Sequence, residues 1–414
     1  MGLVVIWFRP RRRAKMRFPF TATVPMHPLT ARPGVQALRS SKIREVANAG
    51  MGRKDDIAFW FGEPDEVTPD FIRQAGIEAL QRGDTFYTEN FGIPELRKTI
   101  AAYVARLHAP ACKVTADNVT VTSSGMSALM LANQALVGPG DRVVIVTPVW
   151  PNLVEIPRIL GAEAVTFPLD YTAAGWNLDL QRLLATLTPG TRMVCINSPN
   201  NPTGWTISRE EQRAILDHCR RHGIWILADD AYERLYYGAG AAPSFLDIAD
   251  ASDRLVSANT FSKSWLMTGW RLGWLVAPVD LMPYLGTLTE YNTSCAPSFV
   301  QHAGIVAIEQ GEPVIARTQE RFRHARDFLA ARLAEIPGIK AALPAGAMYT
   351  FFKVPGVTDS LAYCKRLVEE SGLGLAPGIA FGPEGEGFIR WCFAASDDRL
   401  QQGVERLRNM IQHR

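Results

Sequence analysis

A lysine does nucleophilic chemistry only while its amine is neutral, and the segment Thr260 to Trp274, TFSKSWLMTGWRLGW, surrounds Lys263 with features that favour that state. A free lysine titrates near ~10.4, and burial or a nearby cation lowers that value. Lys263 follows the apolar run Arg254 to Ala258, Arg271 lies a few residues on, and Trp265, Leu266, Met267 and Trp270 add apolar surface. Such an amine suits Schiff-base formation. Read by itself, the stretch fits an ordinary solvent-facing lysine in a Ser-rich loop equally well.

Other chemistry-bearing groups recur along the chain. Ser123-Ser124-Gly125-Met126-Ser127 precedes a helical pattern and would aim backbone N–H groups at an anion, or simply cap the helix. Pro148-Val149-Trp150-Pro151-Asn152 contains an aromatic plate that either stacks on a planar ring or fills the core. Ser198 to Gly204, SPNNPTG, offers side-chain amides that also serve as turn formers. In Asp229-Asp230-Ala231-Tyr232 a carboxylate closes an apolar run and needs a partner or solvent.

Each of these groups follows a short apolar run: Val119 to Thr122, Arg142 to Thr147, Arg192 to Asn197, Ile224 to Ala228 and Arg254 to Ala258. Such runs alternating with longer helical patterns indicate an α/β domain, a mostly parallel sheet covered by helices, over residues 75–297. In such sheets ligands bind beyond the carboxyl ends of the strands. From about Gln310 onward, charged helical stretches surround strand-like pieces at Met348 to Val354 and Phe388 to Phe393. Together with residues 31–74, where Ile57 to Phe61 reads as a strand ending at the turn Gly62-Glu63-Pro64-Asp65, residues 298–414 are expected to form a smaller α+β domain. A carboxylate, an amide, a phenol, an aromatic plate, an anion cradle, a lysine and an arginine at successive strand ends have one ligand in common, pyridoxal 5′-phosphate.

The motifs SPNNPTG, DDAY, TFSK and MTGWRLG, in this order, resemble the class I/II aminotransferases of the fold-type I pyridoxal-phosphate enzymes, over about Phe59 to Ser396. The resemblance implies a seven-stranded, mostly parallel sheet. It also implies that Lys263 carries the Schiff base and shuttles a proton, that Asp229 pairs with the pyridine nitrogen, and that Asn201 and Tyr232 hold the ring's phenolic oxygen. Trp150 would stack on the ring. The phosphate would lie among the backbone of Ser124, Gly125 and Met126, the hydroxyls of Thr260 and Ser262, and Arg271. Tyr87, in YTENFGIPELR, would reach the phosphate of a partner subunit, which implies a homodimer with shared sites. Arg390, in the alternating run Phe388 to Phe393, stands near the place where the family keeps its carboxylate-binding arginine, and a planar guanidinium grips a carboxylate bidentately. Gly62 would add a backbone N–H. The implied reaction moves an amino group from an L-amino acid to a 2-oxo acid by a ping-pong mechanism.

Composition bounds these readings. The chain has 414 residues, 47% hydrophobic and 21% charged, the profile of a folded globular protein of about two domains. No apolar run approaches the ~20 residues that span a bilayer. The net charge of +3 becomes −3 without Arg9, Arg11, Arg12, Arg13, Lys15 and Arg17, so the basicity belongs to residues 1–30, expected to be a disordered tail. Its apolar stretch Leu3 to Phe8 precedes the arginines, the wrong order for a secretory signal. Six scattered cysteines, Cys112, Cys195, Cys219, Cys295, Cys364 and Cys392, point to neither zinc nor a disulfide framework and fit the cytoplasm. Neither nucleic acid nor membrane is expected as a partner.

For the substrate side chain, Phe61, Met126, Trp150 and Tyr291 point to a neutral, apolar or aromatic group, and no second arginine for a dicarboxylate stands out. Two other readings share the motifs: a β-eliminating C–S lyase using the same cofactor and lysine, and a non-enzymatic cofactor-binding sensor domain.

Overall fold

The computed structural model describes residues 30–53, 55–108, 113–172 and 174–412. The expected tail at 1–30 and Cys112 therefore fall almost wholly outside the described residues. Of the described residues, those up to Ala37 and those from Leu38 onward fall into two units. In the first, Pro33–Gln36 forms one helical turn. The sheets and the site lie in the second.

The larger sheet has seven strands in the order Val119–Thr122, Gly273–Val276, Leu255–Thr260, Trp225–Asp229, Thr191–Asn197, Arg142–Thr147 and Glu163–Pro168. The last five are mutually parallel, and Gly273–Val276 runs antiparallel to both its neighbours. The five anticipated strands appear within two residues of their expected ends, because runs buried on both faces leave little choice of period. Two strands had gone unread. Glu163–Pro168 pairs on one side only and is half-exposed, so it lacks a continuous apolar run. Gly273–Val276 follows the Lys263 loop so closely that it reads as part of that motif.

A second sheet of four strands, Lys340–Ala341, Tyr349–Lys353, Phe388–Cys392 and Ala376–Pro377, is antiparallel. The helices Glu312–Ala334, Ser360–Ser371 and Asp397–Gln412 supply the charged stretches. The strand expected over Ile57 to Phe61 is only Ile57–Ala58, paired in parallel with Leu373–Gly374. Beyond it the chain leaves Leu373–Gly374: Phe59 O accepts from Cys392 N at 3.3 Å, Trp60 O from Arg390 Nη2 and Gly62 O from Lys263 Nζ. Among the described residues no helix is long and apolar enough to cross a membrane.

Candidate active site

The strand ends of the larger sheet open into a cavity of about 440 Å³. Its wall contains Gly62, Gly125, Met126, Trp150, Asn201, Asp229, Tyr232, Thr260, Ser262, Lys263, Arg271 and Arg390, twelve of the fourteen residues singled out from sequence. Ser124 is not among them. Its side chain is spent on capping the helix Gly125–Leu136, accepting from Ser127 N at 3.0 Å. Tyr87 is not in the wall either; it is 88% exposed.

Lys263 sits in the turn that follows Leu255–Thr260, with Leu266 and Arg271 held at φ of 56° and 55°. Non-glycine residues in this left-handed region cost roughly 1–3 kcal/mol each and cluster where a site imposes them. Lys263 Nζ donates to Gly62 O at 2.6 Å and lies 5.8 Å from the centre of the Tyr232 ring. Burial, with the charges of Arg390 and Arg271 adding to it, pulls the amine down to about 8. It is therefore a base and nucleophile at mildly alkaline pH.

Asp229 ends the strand Trp225–Asp229 at the cavity floor. Burial pushes its carboxyl up to about 6, against the lowering effects of the Ala231 N–H and the Lys263 charge. Among the described residues its side chain accepts one hydrogen bond, a long one from Ala231 N at 3.3 Å. A cationic N–H on a ligand would relieve this carboxylate.

Arg390 is 2% exposed and has no carboxylate partner among the described residues. Nη1 donates to Asn201 Oδ1 at 3.1 Å, Nη2 donates to Trp60 O, and Nε is buried without a partner. The guanidinium lies between the rings of Tyr349 and Phe381, at 4.5 and 4.9 Å. A buried, unpaired guanidinium with free donors calls for an anion. Gly62, expected to contribute its N–H, lies in the same wall, and its carbonyl holds Lys263.

At the opposite wall the start of the Gly125–Leu136 helix faces Thr260, Ser262 and Arg271. Thr260 Oγ1 donates to Ser262 Oγ at 2.9 Å, and Arg271, exposed, donates to the Thr268 carbonyl at 2.6 Å, with no carboxylate partner among the described residues. Helix N–H groups, two hydroxyls and a guanidinium without a carboxylate partner suit a phosphate. The site thus has the donors a phosphorylated pyridine aldehyde needs: an amine, an acid for a ring nitrogen, and an anion cradle.

Other wall residues were missed. Tyr349 Oη is 2.8 Å from Tyr232 Oη, and Gly62 makes room for it, since a Cβ there would stand 1.9 Å from Tyr349 Oη. Asn197 accepts from Asn201 N at 2.8 Å and fixes the SPNNPTG turn. Ser41, Ile43 and Arg44 come from the helix Lys42–Gly50 and its cap, where only an amphipathic pattern is visible in sequence. The five described cysteines are free thiols.

Fold and site together place a buried lysine amine, a buried carboxylate and a buried guanidinium in one cavity at the carboxyl ends of a mostly parallel sheet. The model for aminotransferase class I and II matches residues 54–407, and this chain belongs to that family. The aspartate aminotransferase of Pyrococcus horikoshii is 34% identical over 91% of this chain and 96% of its own. The solved structure of a single mutant of Thermus thermophilus aspartate aminotransferase has a TM-score of 0.85 at 30% identity, covering 92% of this chain and 99% of that one. An aromatic aminotransferase from Pyrococcus horikoshii has a TM-score of 0.82 at 27% identity, covering 89% and 99%. The protein is an aminotransferase, and the sensor reading is set aside.

Proposed function

We propose that this enzyme binds pyridoxal 5′-phosphate and transfers an amino group from an L-amino acid to a 2-oxo acid in two successive half-reactions. The observation that carries the proposal is the convergence on one cavity of an amine lowered to about 8, a buried carboxylate and a buried unpaired guanidinium. When bound, the cofactor supplies an electron sink for the pair released at the substrate α-carbon.

The chain's own groups do the rest. Lys263 would hold the cofactor covalently and, once displaced by the substrate amine, carry a proton to and from the α-carbon. Asp229 would keep the pyridine nitrogen protonated. Asn201 and Tyr232 would bond the phenolic oxygen, with Tyr349 orienting the Tyr232 hydroxyl, and Trp150 would cover one ring face. Gly125, Met126, Thr260, Ser262 and Arg271 would hold the phosphate. Arg390 would grip the substrate α-carboxylate. Residues 75–297 would form the cofactor-binding domain, and residues 31–74 with 298–414 the smaller one.

A homodimer with shared sites is part of the proposal. Phe86, Tyr87 and Tyr291 are 83%, 88% and 83% exposed, and a partner subunit would cover such rings. A cytoplasmic location accords with the free thiols.

The test is the absorbance of the cofactor-loaded protein mixed with an amino-acid pool and no 2-oxo acid. Loss of the initial cofactor band, with its return on adding a 2-oxo acid, supports transfer. A band indifferent to the pool, or pyruvate and ammonia accumulating from a cysteine conjugate, overturns it in favour of no turnover or elimination.

A further inference from the structure

The helix Ser298–Gln310 carries one amide that is buried completely, Gln301, and the hydrogen bonds of its side chain go to two loops. Oε1 accepts from Ile93 N at 2.8 Å, and Nε2 donates to Thr88 Oγ1 at 3.0 Å and to Ala296 O at 2.8 Å. The Ile93 N–H can only donate and the Ala296 carbonyl can only accept, so the amide has one orientation. Thr88 N also donates to Cys295 Sγ, at 3.4 Å. Gly92, at φ 94°, lets the backbone pass so close that a Cβ there would stand 2.9 Å from Gln301 Oε1 and 2.5 Å from Val121 Cβ.

One side chain thus fixes two segments, residues 88–93 and 295–296, and each has exposed rings beside its anchored end. Phe86 and Tyr87 come just before Thr88, and Tyr291 precedes Cys295. Ordering a backbone costs conformational entropy, and rings held rigid in advance bind a second molecule at a lower ordering cost. The cavity is open in a complementary way. At the anion cradle Thr260 and Ser262 are buried, whereas Arg271 is exposed and pairs with no carboxylate among the described residues. Tyr87 lies outside the wall of its own subunit's cavity, and its hydroxyl is a donor of the kind a phosphate accepts.

We propose that Gln301 is a positioning residue that acts across the dimer: its amide fixes the segment bearing Tyr87, and the Tyr87 hydroxyl closes the exposed side of the phosphate cradle in the partner subunit. The inference rests on the reading of the enzyme as a homodimer with shared cofactor sites.

The experiment uses mixed dimers of two differently tagged chains, one of them a carrier with Lys263→Ala. Borohydride attaches the cofactor only where Lys263 is present, so the mass of the other chain reports the occupancy of its site at each concentration of pyridoxal 5′-phosphate. Gln301→Met is placed either on the carrier or on the chain that keeps Lys263. A hydrogen bond to a charged group is worth about a factor of ten or more. The variant on the carrier should therefore weaken cofactor binding about tenfold relative to the mixed dimer without it, and the variant on the chain with Lys263 should leave binding unchanged. Thr88→Val, at a half-buried residue, removes one of the three bonds to the amide and should show the same asymmetry to a smaller degree, including where Gln301→Met chains fail to assemble. Equal losses in both arrangements, no loss in either, or a loss confined to the chain with Lys263 overturns the proposal. Tyr87→Phe on the carrier tests the broader reading separately: unchanged occupancy would mean that the sites are not shared, whereas weaker binding there without any effect of Gln301→Met on the carrier would remove Gln301 alone.

Discussion

Lys263 Nζ donates to Gly62 O at 2.6 Å, and Gly62 is also the residue against which the Tyr349 hydroxyl packs. One glycine thus positions the reactive amine with its carbonyl and, through its missing side chain, admits the phenol that bonds Tyr232 at 2.8 Å. The turn at FGEPD belongs to the site, although it precedes the Lys263 loop by some two hundred residues.

Replacing Gly62 with alanine should therefore damage the site sterically. The added methyl would stand 1.9 Å from Tyr349 Oη, and overpacking of this kind costs ~1–3 kcal/mol. Gly62→Ala should lower the thermal midpoint and turnover together, and Tyr349→Phe in the same chain should recover part of both by removing the nearest atom. Failure of the second change to restore anything would place the damage elsewhere.

Arg390 is expected to act as a bidentate anchor. Truncating one partner of a buried ionic pair costs ~2–5 kcal/mol, about 30- to several thousand-fold in kcat/KM. Arg390→Gln should show that loss in half-reaction kinetics, and Arg390→Lys should recover little because an ammonium lacks the planar fork. A lysine variant close to wild type would argue for a simple charge effect.

The residues that meet at the cavity were legible because each one ends or follows an apolar strand. Asp229, Asn201, Lys263 and Arg271 fall into place once the runs Thr191–Asn197, Trp225–Asp229 and Leu255–Thr260 are recognised. Arg44 and Tyr349 were not legible. Arg44 lies on a helix whose spacing says only that one face is buried, and its place over Phe61 depends on how that helix packs. Tyr349 begins a strand that reads as ordinary core, and only the facing Gly62 and Tyr232 give its hydroxyl a task. At Ser124 the hydroxyl takes the capping role that the sequence had left open, accepting from Ser127 N.

The carboxyl of Asp229 gives a pH signature in the apoenzyme. Its folded-state value of about 6 lies above the ordinary aspartate value, so its contribution to stability is full below about pH 4 and lost as pH rises through about 6. Two units correspond to at most about 3 kcal/mol. Apo Asp229→Asn should accordingly be no less stable than wild type at pH 7 and more resistant to urea, with the advantage vanishing near pH 4, while its turnover after loading falls steeply. A variant less stable than wild type at pH 7 would show that the carboxylate has a partner that compensates its burial.

Behind the Asp229 strand lies a buried ionic cluster that the sequence did not disclose. His108 Nε2 is 2.9 Å from Glu233 Oε2 and its Nδ1 is 3.1 Å from Asp247 Oδ1. Tyr103 Oη donates to Glu233 Oε1 at 2.8 Å and Arg209 reaches Asp247 at 2.7 Å. Burial by itself would lower the imidazole, yet hydrogen bonds to Asp247 and Glu233, and their charges, raise it to about 10. With a folded value above the ordinary ~6.5, the imidazolium's contribution is complete below about pH 6.5 and lost as pH climbs through about 10. His108→Leu would leave buried carboxylates short of a cation, a loss of about 3–5 kcal/mol. Urea unfolding should show this deficit at pH 6, and the gap between variant and wild type should close towards pH 10. Because Asp230, next to Asp229, is also buried and is bonded by Ser257 Oγ at 2.6 Å, loss of the cluster should loosen the end of that strand. The cofactor band of the loaded variant should then broaden before global unfolding begins. A constant gap across pH would mean that His108 serves as a packed neutral ring and that the carboxylates carry the protons instead.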